Sequence, residues 1–114
     1  MPTPLYVCKA EFFKMLGHPV RIRVLELLQE RPHAVADLLG AIEIEASSLS
    51  QQLAVLRRAG IVVSQREGGA VVYRLATSDI SDLLRAARRI LTDMMSGQED
   101  LLAELRELQG GEGA

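Results

Sequence analysis

Apolar positions along this chain recur first with a helical period, then as short β-branched runs, then with a helical period again. In the opening stretch they fall at Leu5, Val7, Cys8, Phe12, Phe13, Met15 and Leu16, which predicts a helix over Leu5–Leu16 with a wide apolar face. Gly17-His18-Pro19 breaks it. Pro19 suits the first turn of a second helix, where a missing N–H costs nothing. That helix, Pro19–Glu30, turns Val20, Ile22, Val24, Leu25, Leu27 and Leu28 inward and stops at Arg31-Pro32. A short third helix is predicted over residues 35–41, with Leu38, Leu39 and Ile42 inward. A fourth begins near Ala46, capped by Glu45 or Ser47, with Leu49, Leu53, Val55 and Leu56 as its inner face and Gly60 as its stop. Then the rhythm changes. Residues 61–65 and 70–75 are β-branched runs flanking Glu67-Gly68-Gly69, a hairpin signal.

The last segment, residues 79–108, returns to steps of three and four: Ile80, Leu83, Leu84, Ala87, Leu91, Met94, Met95, Leu101, Leu102, Leu105 and Leu108. Ser96-Gly97 interrupts the stripe. A mid-helix glycine costs about 1 kcal/mol relative to alanine, so a bend or break is expected there. The pattern gives a single domain over residues 1–110 and a frayed, Gly-rich tail over 111–114. A domain of this size cannot bury so long a stripe alone. The simplest partner is the same helix of a second subunit, joined by the first helix. Leu5, Phe12, Leu83, Leu84, Ala87, Leu91, Met94 and Met95 are the expected dimer contacts.

A polar-faced helix feeding directly into a hairpin is the core of a winged helix-turn-helix. The fold class is therefore mainly α with a small β-hairpin: about five helices, a two-stranded wing, and a homodimer through the first and last helices. In such a fold the fourth helix enters the major groove with its N-terminal side chains at base edges. Ser47, Ser48 and Ser50 can donate or accept there. Gln51 and Gln52 can pair with adenine N6 and N7, which points to an A·T-containing half-site. Arg57 and Arg58 can hold phosphates. On the wing, Gln65 and Arg66 sit at the rim and Arg74 returns toward the backbone.

Composition changes this picture in three ways. The 114 residues are 48% hydrophobic but only 4% aromatic, so the core is aliphatic. Net charge is −2, unusual for a DNA reader, yet its distribution matters more than its sum. Residues 1–75 carry nine Lys/Arg against seven Asp/Glu, and residues 76–114 carry four against eight. The acidic excess lies in the last helix, away from the reading surface. Cys8 is the one cysteine, so no internal disulfide forms, and it reads as a half-buried small apolar residue. No apolar run spans a bilayer. The N-terminus lacks the basic and apolar regions of a signal peptide, which gives a cytoplasmic location.

The segments from Leu16 to Leu25, from Ser50 to Val62, and from Val72 to Leu75 resemble the ArsR/SmtB family of winged-helix repressors, over nearly the whole chain from Phe12 to Leu91. The resemblance implies a homodimer that represses a promoter on an inverted-repeat operator and lets go when an effector binds. The family's metal positions can be checked one by one. Its Cys-Val-Cys-Asp-Leu motif corresponds here to Ala34-Val35-Ala36-Asp37-Leu38, so both thiolates are missing. Its last-helix ligands fall on Thr77, Asp79, Ile90 and Asp93, which leaves two carboxylates and no imidazole. His18, in the break before Pro19, reads as a capping or packing residue. His33 reads as a solvated loop residue. No metal ligand set and no cofactor are expected. Nickel-responsive regulators of this type exist, and a chain this poor in donors leaves two readings open: a different effector, or a second sensor protein.

A transcriptional regulator is thus the first reading, and a winged-helix adaptor that contacts proteins without reading DNA is the alternative. An enzyme is not expected: there is no acid/base pair with a pocket, no nucleophile motif and no P-loop.

Overall fold

Proline and glycine set most of the element boundaries. The computed structural model describes residues 2–112, which form α1 (Leu5–Leu16), α2 (Pro19–Glu30), β1 (His33–Ala34), α3 (Val35–Ile42), α4 (Ala46–Arg58), β2 (Val62–Glu67), β3 (Ala70–Leu75) and α5 (Ser78–Glu112). Pro4 precedes α1, and Pro19 opens α2 behind His18, whose Nδ1 accepts the Val20 N–H at 3.2 Å. His18 is therefore a helix cap.

The chain clusters into two compact units, Met1–Ser81 and Asp82–Ala114. In the first, α2 supplies Val24, Leu25, Leu27 and Leu28 to the core. The rest of the buried core is Leu16 of α1, Leu38 of α3, Leu49, Leu53 and Leu56 of α4, and Ile61, Val62, Tyr73 and Ile80. Leu25, Leu38, Leu49 and Leu56 are wholly buried. Each such side chain contributes roughly 1.5–3 kcal/mol by leaving water.

Three expectations need correction in this unit. The two-stranded wing does not stand alone: β1 pairs antiparallel with β3, giving a three-stranded sheet of order β1-β3-β2. His33 is consequently not a solvated loop residue. It lies opposite Tyr73 at 6% exposure, and neither ring nitrogen has a hydrogen-bond partner. Two backbone pairs, His33 with Tyr73 and Ala34 with Val72, are enough to draw it in. Cys8 is exposed rather than half-buried, because α1 buries only Leu16 and leaves Leu5, Tyr6 and Phe13 open.

The second unit belongs to α5. The helix runs through Ser96-Gly97 without interruption. A Cβ added at Gly97 would meet nothing within 4 Å, so no packing demands this glycine. Its propensity cost of about 1 kcal/mol is carried by good helix formers on both sides. Continuity keeps the apolar stripe in phase. Leu84, Ala87, Leu91, Met94, Gln98, Leu101, Leu105 and Leu108 follow one another in alternate steps of three and four, the heptad seam of a coiled coil with one polar position. Leu91, Met94, Leu101, Leu105 and Leu108 are each at least half exposed. The helix extends to Glu112, so residues 111 and 112 of the expected tail are helical backbone, and 113–114 lie outside the described residues.

Among the described residues no helix is long and apolar enough to cross a membrane.

Candidate nucleic-acid interface

The α3–α4 corner and the β2–β3 hairpin carry the residues singled out above. Glu43 ends α3 in the left-handed region (φ 50°), the only non-glycine residue there among those described. The chain re-enters helix at Ala46. Glu45 occupies the N-cap position with extended backbone, but no side chain caps α4. Its first-turn N–H groups are left without a side-chain acceptor.

Along α4, Leu49, Leu53 and Leu56 are buried, while Ser47, Ser48, Ser50 and Gln51 are exposed. Ser47, Ser50 and Gln51 fall in one row at helical spacing, so a single strip of the helix presents two hydroxyls and an amide. Gln52 is different. It is half-buried, and its Oε1 accepts the Arg21 Nε–H at 2.7 Å.

Arg57 and Arg58 are exposed in the last turn. There the helix dipole favours positive charge. The helix then stops in a Schellman arrangement. Gly60 has φ 76°, its N–H donates to Arg57 O at 3.0 Å, and the Ile61 N–H donates to Leu56 O at 3.0 Å.

The turn delivers Ile61 and Val62 to the core and starts the wing. β2 and β3 pair from Val62↔Leu75 to Glu67↔Ala70. Gly68 and Gly69 make the two-residue connection with φ 56° and 84°. Both are positive, as a type I′ hairpin turn requires. Gln65 and Arg66 are exposed on β2. Arg74 is spoken for inside the wing: its Nη2 donates to Gln65 Oε1 at 2.6 Å and lies 3.4 Å from Glu67 Oε1. Among the described residues no ion pair engages Arg57, Arg58 or Arg66.

The expected dimer contacts lie on α1 and α5. Leu5, Leu91, Met94 and Met95 are more than half exposed, Ala87 is exposed, and Phe12, Leu83 and Leu84 are partly covered.

The positions where the family would place metal donors do other work here. Ala34 pairs with Val72 in the sheet. Thr77 Oγ1 accepts the Asp79 N–H at 3.2 Å, closing the entry to α5. Ile90 is an exposed apolar residue of α5. Among the described residues no three His, Cys, Asp or Glu side chains gather as a metal-holding group. The donor set does not fit a family-type metal centre.

Sequence reading missed Arg21 and β1. The signal for Arg21 is local: Met15 lies in the last turn of α1, where carbonyls have no intrahelical donor, so its oxygen needs another one. Arg21 Nη1 supplies it at 2.7 Å.

Known proteins place this architecture. Residues 18–64 match the model of the bacterial regulatory protein arsR family. The HTH-type transcriptional regulator Rv0081 of Mycobacterium tuberculosis is 52% identical over 104 residues, covering 90% of this chain and 91% of the relative. Its crystal structure superposes with a TM-score of 0.79 over 85% of this chain and 98% of that one. The transcriptional repressor BigR from Xylella fastidiosa follows at 38% identity and TM-score 0.67, over 71% and 83% of the two chains. The homodimeric winged helix-turn-helix DNA-binding domain Mb0332 from Mycobacterium bovis is 26% identical with TM-score 0.73, over 82% and 86%. The exposed polar strip of α4, the I′ wing and these likenesses agree: the chain belongs to the arsR family of bacterial transcriptional regulators.

Proposed function

We propose that the chain acts in the cytoplasm as a homodimeric repressor that reads an inverted-repeat operator with two α4 helices, one from each subunit. The observation that carries this reading is the strip Ser47, Ser50 and Gln51. It is exposed on a helix whose other face is fixed by Leu49, Leu53 and Leu56. A helix anchored on three buried leucines presents its outer side chains with little freedom, which base-edge readout needs. Gln51 is the amide reader and Ser47, Ser48 and Ser50 the adaptable contacts. Arg57, Arg58 and Arg66 hold phosphates. Arg74 stiffens the wing that carries Gln65.

Dimerisation supplies the second half-site. The exposed heptad seam of α5 and the open apolar face of α1 support a second copy as the partner. The donors at the family's metal positions are replaced, which supports sensing of a different effector or a metal-linked signal passed on by a second sensor protein.

The test is selection of duplexes from a random-sequence library by the purified protein. A palindromic consensus is expected, with discrimination at one position per half-site relaxed by Gln51→Ala. Recovery of no consensus from the wild type would sink the reading.

A further inference from the structure

Arg21 stands at a three-helix junction. Its Nη1 donates to the Met15 carbonyl of α1, and its Nε donates to Gln52 Oε1 of α4, each at 2.7 Å. Arg21 itself lies in the first turn of α2. Both acceptors are fixed by local chemistry. Met15 lies in the last turn of α1, where its carbonyl has no intrahelical donor. Gln52 faces a guanidinium that can only donate, so it must turn its oxygen inward. All three residues are at least partly covered.

We propose that Arg21 is a positioning residue for the reading helix, and that Gln52 is its anchor point and not a base reader. The guanidinium fork sets where α4 stands relative to the end of α1. Two features support this division between neighbouring glutamines. Gln51 is exposed and Gln52 is half-buried. Bidentate pairing with adenine needs the amide turned outward with its oxygen toward N6, and the Gln52 oxygen is held toward Arg21 at 2.7 Å. Arg21 is also withdrawn from the pool of cations that neutralise phosphates. The number of phosphate contacts is therefore smaller than a count of arginines near α4 suggests.

This inference rests on the DNA-reading function proposed above, and the experiment keeps the two separable. Arg21→Met, Gln52→Ala, the double variant and Gln52→Glu are compared with wild type on the selected duplex, over a salt series, and in urea unfolding without DNA. Arg21→Met and Gln52→Ala each weaken binding roughly tenfold, and the double variant is no weaker than either, as for two ends of one contact. The slope of log affinity against log salt stays at the wild-type value in Arg21→Met. A lost phosphate contact would reduce it by about 0.9. Gln52→Glu keeps the acceptor and strengthens it with charge, so it binds within about threefold of wild type with the same consensus.

A reduced slope in Arg21→Met, multiplying effects in the double variant, or a changed base preference in Gln52→Glu would each overturn the assignment. If the wild type selects no duplex, the functional reading fails. The junction is then judged by urea unfolding alone, where the two single substitutions must still be non-additive.

Discussion

Helices α4 and α5 are written with the same apolar period but meet different fates. In α4, Leu49, Leu53 and Leu56 close against their own unit and are buried to 2% exposure or less. In α5, Leu101, Leu105 and Leu108 fall at the same spacing and stay 50–66% exposed. The difference teaches that periodicity alone says which side of a helix is apolar, not who covers it. One stripe completes the subunit; the other stays open to solvent and is the face that the proposed homodimer would cover.

The sharpest way to break the comparison is to cut into each stripe. Leu56→Ala removes a wholly buried side chain and is expected to cost about 3 kcal/mol of stability at every protein concentration, read by urea unfolding. Leu101→Glu with Leu105→Glu should instead leave amide protection in α2 and α4 intact while sedimentation shows a monomer. Operator affinity then falls roughly a hundredfold as the second reading helix is lost. Global unfolding of that double variant would show that α5 is needed to fold the subunit, and the contrast would collapse.

Smaller changes sharpen the α4 side. Gly60→Ala forces a side chain into φ 76° at the helix stop, and a loss of roughly 1 kcal/mol is expected in thermal melts. Glu43→Gly relieves the left-handed residue at the end of α3 and should stabilise by about 0.5 kcal/mol, less than the full strain because glycine loses more entropy on folding. A destabilised Glu43→Gly variant would mean that the glutamate side chain earns its place at this corner.

Much of the fold was legible because its punctuation is strong. Pro19 opens α2, Gly60 closes α4, and Gly68-Gly69 turns the hairpin, each through a backbone demand that few residues meet. β1 was not legible: two residues between Pro32 and a helix carry no alternation, and only the pairing with β3 makes them a strand. Cys8 and His33 were misjudged for the same reason in opposite directions, since burial depends on neighbours brought from elsewhere in the chain. At the candidate interface, the exposed and buried faces of α4 could be read from spacing. The separation of Gln51 from Gln52 could not, because it depends on a bond to Arg21 thirty-one positions away.

The turn at Gly60 has a consequence for how the molecule moves. Its two backbone bonds close the end of α4, and the next two residues, Ile61 and Val62, are buried in the core. No slack segment separates the reading helix from the first strand of the wing. Hydrogen exchange should therefore find the last turn of α4 and the start of β2 opening as one cooperative unit, with a shared free energy. A signal that loosens the wing would loosen the reading helix with it, and release from DNA would be concerted across both contacts.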